Sequence, residues 1–214
     1  YHTRSWLAVS LPYLLIGVLT AVMNQSDVLM LGTMLGSAAA GLYTPAAKLA
    51  QLALFPMLAI RSRAAPLMAR LYAENDLKEL QHQMNMTTIV STLSGVVLVG
   101  GLILCAEPLL KLFGPDYASA APVLIVLALG MLVFAMTGGI EVFLIFGPFE
   151  RITVLIYALV VALNLTLNLI LIPDFGVIGA AYATAITVIV RGLISTYVVW
   201  QRSGIVPWAW KQNK

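Results

Sequence analysis

An all-α polytopic membrane protein, a bundle of six transmembrane helices, is the fold class this sequence predicts, and three observations predict it. Of the 214 residues, 61% are hydrophobic and only 10% charged, where a soluble domain carries about 25% charged residues. Mean hydropathy is strongly positive. Six apolar windows are each long enough to cross a hydrocarbon core about 30 Å thick, which takes about 20 residues of helix. They run approximately over 6–35, 37–60, 86–113, 121–147, 152–173 and 177–200. The runs are too long and too uniformly apolar for barrel strands. Residues 61–85 read as a cytoplasmic connecting segment and 203–214 as a cytoplasmic tail. The first residue is Tyr1 and no signal peptide precedes the first span, so a segment of a longer chain is expected.

Short cytoplasmic loops hold the excess of Lys and Arg, which sets the orientation. Arg4 precedes span one, Arg61, Arg63, Arg70 and Lys78 follow span two, Arg151 separates spans four and five, and Arg202, Lys211 and Lys214 follow span six. The opposite loops hold only Lys111, against Glu107 and Asp116, and Asp174. Both ends are therefore expected on the cytoplasmic side. Trp6 and Trp200 fall at the expected boundary, and Trp208 and Trp210 are expected to lay the tail on the headgroups. The net charge of +3 follows from this topology and implies no nucleic-acid partner. Cys105 is alone, so neither an internal disulfide nor a thiolate metal site is available.

Span one carries Asp27. Stepping back by three and four residues gives Asn24, Thr20, Gly17, Tyr13 and Ser10, a small or polar stripe that is expected to face away from lipid. A carboxylate against hydrocarbon costs at least about 2.5–3.5 kcal/mol. Span two places Lys48 near mid-depth with Thr44 and Gln51, and Pro56 is expected to kink it. Span four carries Gly138-Gly139 and Glu141, span five Asn164 and Asn168, and span six Thr184, Thr187, Arg191 and Ser195 on one face. At 1.5 Å of rise per residue, Asp27, Asn164 and Thr184 lie roughly 12–14 Å from the non-cytoplasmic ends of their spans, with Asn168 somewhat shallower. Asp27, Asn164, Asn168 and Thr184 thus form a candidate site for a cation such as sodium, which prefers oxygen ligands, or for a proton on Asp27. Thr20, Asn24, Lys48, Gln51, Glu141, Thr187 and Arg191 are the candidate cavity residues.

Structural roles compete with these. Asp27 bridged to Lys48 would fix helix packing, Lys48 would snorkel to headgroups, Glu141 and Arg191 would form a structural ion pair, and the amides and hydroxyls would join helices. Catalysis is not expected. His2 and His82 lie outside the spans, Cys105 has no partner base, and no nucleophile, zinc-protease or phosphate-loop motif occurs. No cofactor is expected beyond a coupling ion.

The segments "SLPYLL", "DVLMLG", "GLYTPAAKLA", "APLMARLYAENDLKEL", "LFGPDYASAAPVLIVLALG" and "LNLTLNLILIPDFGVIGAAYAT" follow in an order that resembles the polysaccharide-transporter flippases. These oligosaccharide or O-antigen type flippases belong to the multidrug/oligosaccharidyl-lipid/polysaccharide superfamily, with the lipid II flippases and the multidrug and toxic-compound extrusion transporters. The resemblance covers about residues 5 to 200 and points to the C-terminal six-helix lobe of a two-lobe transporter. It implies alternating access around a central cavity, in a bacterial cytoplasmic (inner) membrane. The implied cargo is an oligosaccharide on undecaprenyl diphosphate, as in lipopolysaccharide and related polysaccharide biosynthesis. The implied partners are the bilayer, the N-terminal lobe of the same chain, and the polymerase or glycosyltransferases that handle the cargo.

The resemblance also implies a sodium site on the first, fifth and sixth helices, at Asp27, Asn164, Asn168 and Thr184. Where lipid II flippases tend to carry a second carboxylate, this chain has Asn168, which keeps proton coupling through Asp27 or Glu141 open. Lys48 and Arg191 are the implied diphosphate contacts. A cation-coupled multidrug exporter of the same superfamily is the nearest alternative, and a non-transporting membrane scaffold a third.

Overall fold

The computed structural model describes residues 3–205. The expectations for His2, Trp208, Trp210, Lys211 and Lys214, and for the side chains of Arg4 and Trp6, lie outside the described residues. Every regular element among the described residues is helical: α1 (Thr3–Met34), α2 (Ser37–Gln51), α3 (Phe55–Ala73), α4 (Leu77–Leu104), α5 (Ala106–Lys111), α6 (Ala121–Ala135), α7 (Gly138–Phe146), α8 (Glu150–Phe175) and α9 (Val177–Ser203). Short 3₁₀ turns cover Leu52–Leu54 and Pro115–Ala120. Among the described residues, six helical segments are long and apolar enough to cross a membrane.

Two of the expected spans are broken. In the second, Pro56 has no N–H to bond the Leu52 carbonyl, and Phe55 N–H takes that carbonyl instead in a 3₁₀ turn between α2 and α3. The kink forecast from Pro56 therefore sits just before it. In the fourth span, α6 stops at Ala135 and α7 restarts at Gly138. The Phe134 carbonyl accepts from both the N–H (2.9 Å) and the hydroxyl (2.7 Å) of Thr137, which ends the regular ladder. Gly139 then lies against α4: a side chain at 139 would strike the Met84 carbonyl, and its N–H donates to Thr88 Oγ1 at 3.1 Å. This break puts Glu141 on a short helix of its own.

Residues 61–85 are almost wholly helical, being the end of α3, a turn at Glu74–Asp76 and the start of α4. Asp76 caps α4 by accepting from the Glu79 N–H at 3.0 Å. The α1–α2 and α8–α9 connections are tight, turning on Gly36 (φ 92°) and Gly176 (φ 64°), a region that suits glycine.

Packing follows membrane rules. Lipid tails are as apolar as leucine, so helices associate through close approach of small residues and interhelical hydrogen bonds. At the α6–α9 contact a side chain at Gly130 would strike Ala185, and at the α8–α9 contact one at Gly179 would strike the Leu171 carbonyl. Large apolar side chains such as Leu93, Val97, Leu104, Leu155, Leu169 and Leu193 point out of the bundle.

Candidate functional site

Asp27 is buried on α1 and reached by four hydrogen-bond donors from three other helices. Its Oδ1 accepts from Asn168 Nδ2 at 2.7 Å and, more weakly, from Asn164 Nδ2 at 3.4 Å. Its Oδ2 accepts from Tyr43 OH at 2.6 Å and from Thr184 Oγ1 in a short bond. Ser26 Oγ donates to Asn164 Oδ1 at 2.8 Å, and Thr184 Oγ1 accepts from Asn164 Nδ2 at 3.3 Å. Both amide donors meet Oδ1 and both hydroxyls meet Oδ2. No Lys or Arg lies within ion-pair distance of Asp27 among the described residues.

Depth counting thus placed Asp27, Asn164, Asn168 and Thr184 correctly relative to one another: the helices bring all four into one buried cage. Two further members, Ser26 and Tyr43, escaped the sequence reading. Ser26 lies one residue off the stripe that was followed.

Asp27 also lines a chamber of about 290 Å³ between the helices. Thr20, Asn24, Gln51, Glu141 and Arg191 line it too. The lining of span two runs Tyr43, Ala47, Gln51, Leu54, Leu58 and Arg61, a seam of three- and four-residue steps. Two steps of four back from Gln51 reach Tyr43 through Ala47, and steps of three, four and three forward reach Arg61 through Leu54 and Leu58. Lys48 and Thr44 occupy the neighbouring face instead. Lys48 is exposed and absent from this lining, because one residue of offset turns a helical side chain by about 100°, and no ion pair joins it to Asp27. Thr187 is likewise not a chamber residue: its hydroxyl is buried and bonds the Ala183 carbonyl of its own helix at 2.6 Å. Ser10, Tyr13 and Gly17, the far end of the span-one stripe, are exposed.

The other end of the chamber is ionic. Glu141 is completely buried. Its Oε1 accepts from Ser195 Oγ at 2.7 Å and lies 3.9 Å from Arg191 Nε. The Arg191 guanidinium carbon sits 4.0 Å from the centroid of Phe134 and 5.2 Å from that of Tyr157. Arg61, just past the expected end of span two, lines the chamber with its guanidinium 5.6 Å from the Phe146 ring. A groove of about 500 Å³, bounded by Ser62, Ala65, Pro66 and Ala69, shares Leu58 and Arg61 with the chamber.

The cage fits a small hard cation by its chemistry. Asn168 Oδ1 is buried without a hydrogen-bond partner, so an acceptor stands unused beside Asp27. A carboxylate, two amide oxygens and the Thr184 hydroxyl supply the oxygen-only donors such an ion takes. No cluster of three or more His, Cys, Asp or Glu occurs among the described residues, which leaves a multi-carboxylate or transition-metal site without ligands.

Comparison with known proteins places this geometry. The MatE family model matches residues 12–173. The fold is similar to an outward-facing multidrug resistance MATE family transporter of the MOP superfamily, at TM-score 0.73 and 24% identity over 90% of this chain and 43% of that one. It is also similar to a MOP superfamily transporter from Pyrococcus furiosus, whose reversed pocket polarity suggests a different function for that protein, at TM-score 0.74 and 23% identity over 92% and 45% of the two chains. The chain therefore spans less than half the length of these solved transporters. Comparison with curated proteins gives no match. With a family model spanning most of its length and a polytopic fold shared with one lobe of these transporters, the chain belongs to the MatE family.

Proposed function

We propose that this chain is one lobe of an ion-coupled membrane transporter, whose cargo is an anionic lipid-linked oligosaccharide of the undecaprenyl-diphosphate type. The supporting observation is Arg61. It lines both the polar chamber and the side groove, and no carboxylate lies within ion-pair distance of it among the described residues. An amphiphile with a phosphate head and a hydrocarbon tail needs both: a cation facing the chamber for the head and an apolar lateral path for the tail. The acids need not oppose such a cargo, since Glu141 is balanced by Arg191 and Asp27 would be balanced by its coupling cation or proton.

Coupling is assigned to the Asp27 cage. Asp27, Asn164, Asn168 and Thr184 would hold a sodium ion, which supplies positive charge to the carboxylate when bound; alternatively a proton occupies Asp27. The protein's own part is to aim amides and hydroxyls that turn between donating to Asp27 and offering oxygen. Occupancy biases the two cavity states only if affinity differs between them. The setting is a bacterial cytoplasmic membrane with both ends of this segment on the cytoplasmic side. The polymerase or glycosyltransferases of the same polysaccharide are the proposed partners outside the transporter.

A multidrug exporter is the second reading, supported by the similarity to a multidrug resistance transporter. Full-length protein in proteoliposomes separates them. Transfer of a fluorescent lipid-diphosphate oligosaccharide between leaflets, lowered by Arg61→Ala, is the expected result. Ethidium transport without lipid transfer would establish the exporter instead.

A further inference from the structure

Phe134 on α6, Tyr157 on α8 and Glu141 on α7 surround one point of the chamber wall with two ring faces and a carboxylate. Aromatic faces joined to one acid recognise weakly hydrated organic cations. The occupant of this point is Arg191. Its guanidinium lies over both rings within the distance at which a ring quadrupole attracts a cation. Its ion pair with Glu141 is loose in comparison, at 3.9 Å through Nε. Neither Arg191 Nε nor Glu141 Oε2 has a hydrogen-bond partner, and the hydrogen bond to Oε1 comes from Ser195. A guanidinium placed by its carboxylate would present a two-pronged fork at about 2.7–2.9 Å. Here the rings place it, and the carboxylate balances it from a distance.

We propose that Phe134, Tyr157 and Glu141 form a binding cage for a monovalent organic cation, and that Arg191 fills this cage in cis and so keeps free organic cations out of it. Arg191 is then a specificity-determining residue. Removing its side chain leaves the two ring faces and a buried carboxylate without their cation, a site that a phosphonium, quaternary ammonium or guanidinium ion fits. Binding at the cage does not depend on which cargo the transporter carries, so failure here leaves the lipid-transfer test intact, and the reverse also holds.

The test is equilibrium binding of radiolabelled tetraphenylphosphonium to the full-length protein in detergent. Arg191→Ala is expected to bind at least about tenfold more tightly than the wild type, a difference of about 1.4 kcal/mol, and the added substitution Glu141→Gln is expected to abolish the gain. Arg191→Lys, which keeps a cation on the same helix, is expected to behave as the wild type. If Arg191→Ala does not purify as folded protein, ethylguanidinium present during solubilisation is expected to rescue it, since a ligand of the folded state stabilises it. Equal binding by wild type and folded Arg191→Ala overturns the proposal. So does failure of ethylguanidinium to rescue a variant that does not fold alone.

Discussion

The two ends of the chamber hold one buried acid each, and they satisfy it in opposite ways. Asp27 is met by two amides and two hydroxyls, all neutral, from three helices. Glu141 is met by one hydroxyl and a guanidinium 3.9 Å away, and one of its oxygens has no hydrogen-bond partner. The first arrangement has donors that can rotate or flip without leaving their places, so a small cation or a proton can be exchanged against them. The second is held by a charge already present in the chain. A buried ion pair is weak evidence of stability, and its use here is better understood as control over which charges enter the chamber. The acids are thus not interchangeable, although each is a single carboxylate within an apolar span.

Substitutions that remove one acid at a time should expose this difference. The largest effect is expected from Asp27→Ala, which takes the acceptor from the buried Tyr43 and Thr184 hydroxyls and leaves Asn164 and Asn168 only their weaker bonds to Thr184 Oγ1 and Asn164 Oδ1. Each unpaired buried group costs about 1–3 kcal/mol, so the thermal midpoint in detergent should fall steeply and transport should be lost. Ser195→Ala comes next. Glu141 Oε1 then loses its one hydrogen bond, at a cost of about 1.5–3 kcal/mol for a bond to a charged group, measured by the same unfolding. Equal losses from Asp27→Ala and Ser195→Ala would erase the distinction between the ends.

Asn168→Asp sharpens the comparison from the other side. A second carboxylate next to Asp27 should make stability sodium-dependent, with a thermal midpoint that rises with sodium concentration by ligand linkage and a smaller rise in the parent. No added sodium response would detach Asn168 from the cation site. The smallest effect is expected from Lys48→Ala. That side chain is exposed and off the chamber wall, and changes of this kind usually stay within about 0.5 kcal/mol, with transport in proteoliposomes unaltered.

What the sequence disclosed about this architecture depended on the length scale of the question. Long apolar runs are set by membrane thickness, so the helical class and the six spans were legible. Depth within a span follows from helix rise alone, and for that reason Asp27, Asn164, Asn168 and Thr184 could be grouped before any packing was known. Rotation about the helix axis is a finer matter. In span two, Lys48 and Thr44 drew attention because they are polar, whereas the seam that meets the chamber passes through Tyr43, Ala47 and Arg61. Polarity could not fix the phase, since a lysine at that depth can look outward. The break at Met136–Thr137 was hidden for a different reason: "GMLVFAMTGGIEVFLIF" reads as one apolar run, and the interruption depends on Thr137 capturing the Phe134 carbonyl and on Gly139 meeting α4. The first is a local choice that a threonine in a helix need not make, and the second is a tertiary contact.

The central claim, that the Asp27 cage carries the coupling ion, is tested most directly by transport in proteoliposomes. Full-length wild type and Asp27→Asn would be compared while sodium concentration and pH are each varied with the other held fixed. The expected result is a wild-type rate that depends on one of the two ions and an Asp27→Asn rate, for protein shown to be folded, that depends on neither. An Asp27→Asn protein with the wild-type rate and the wild-type ion dependence would contradict it.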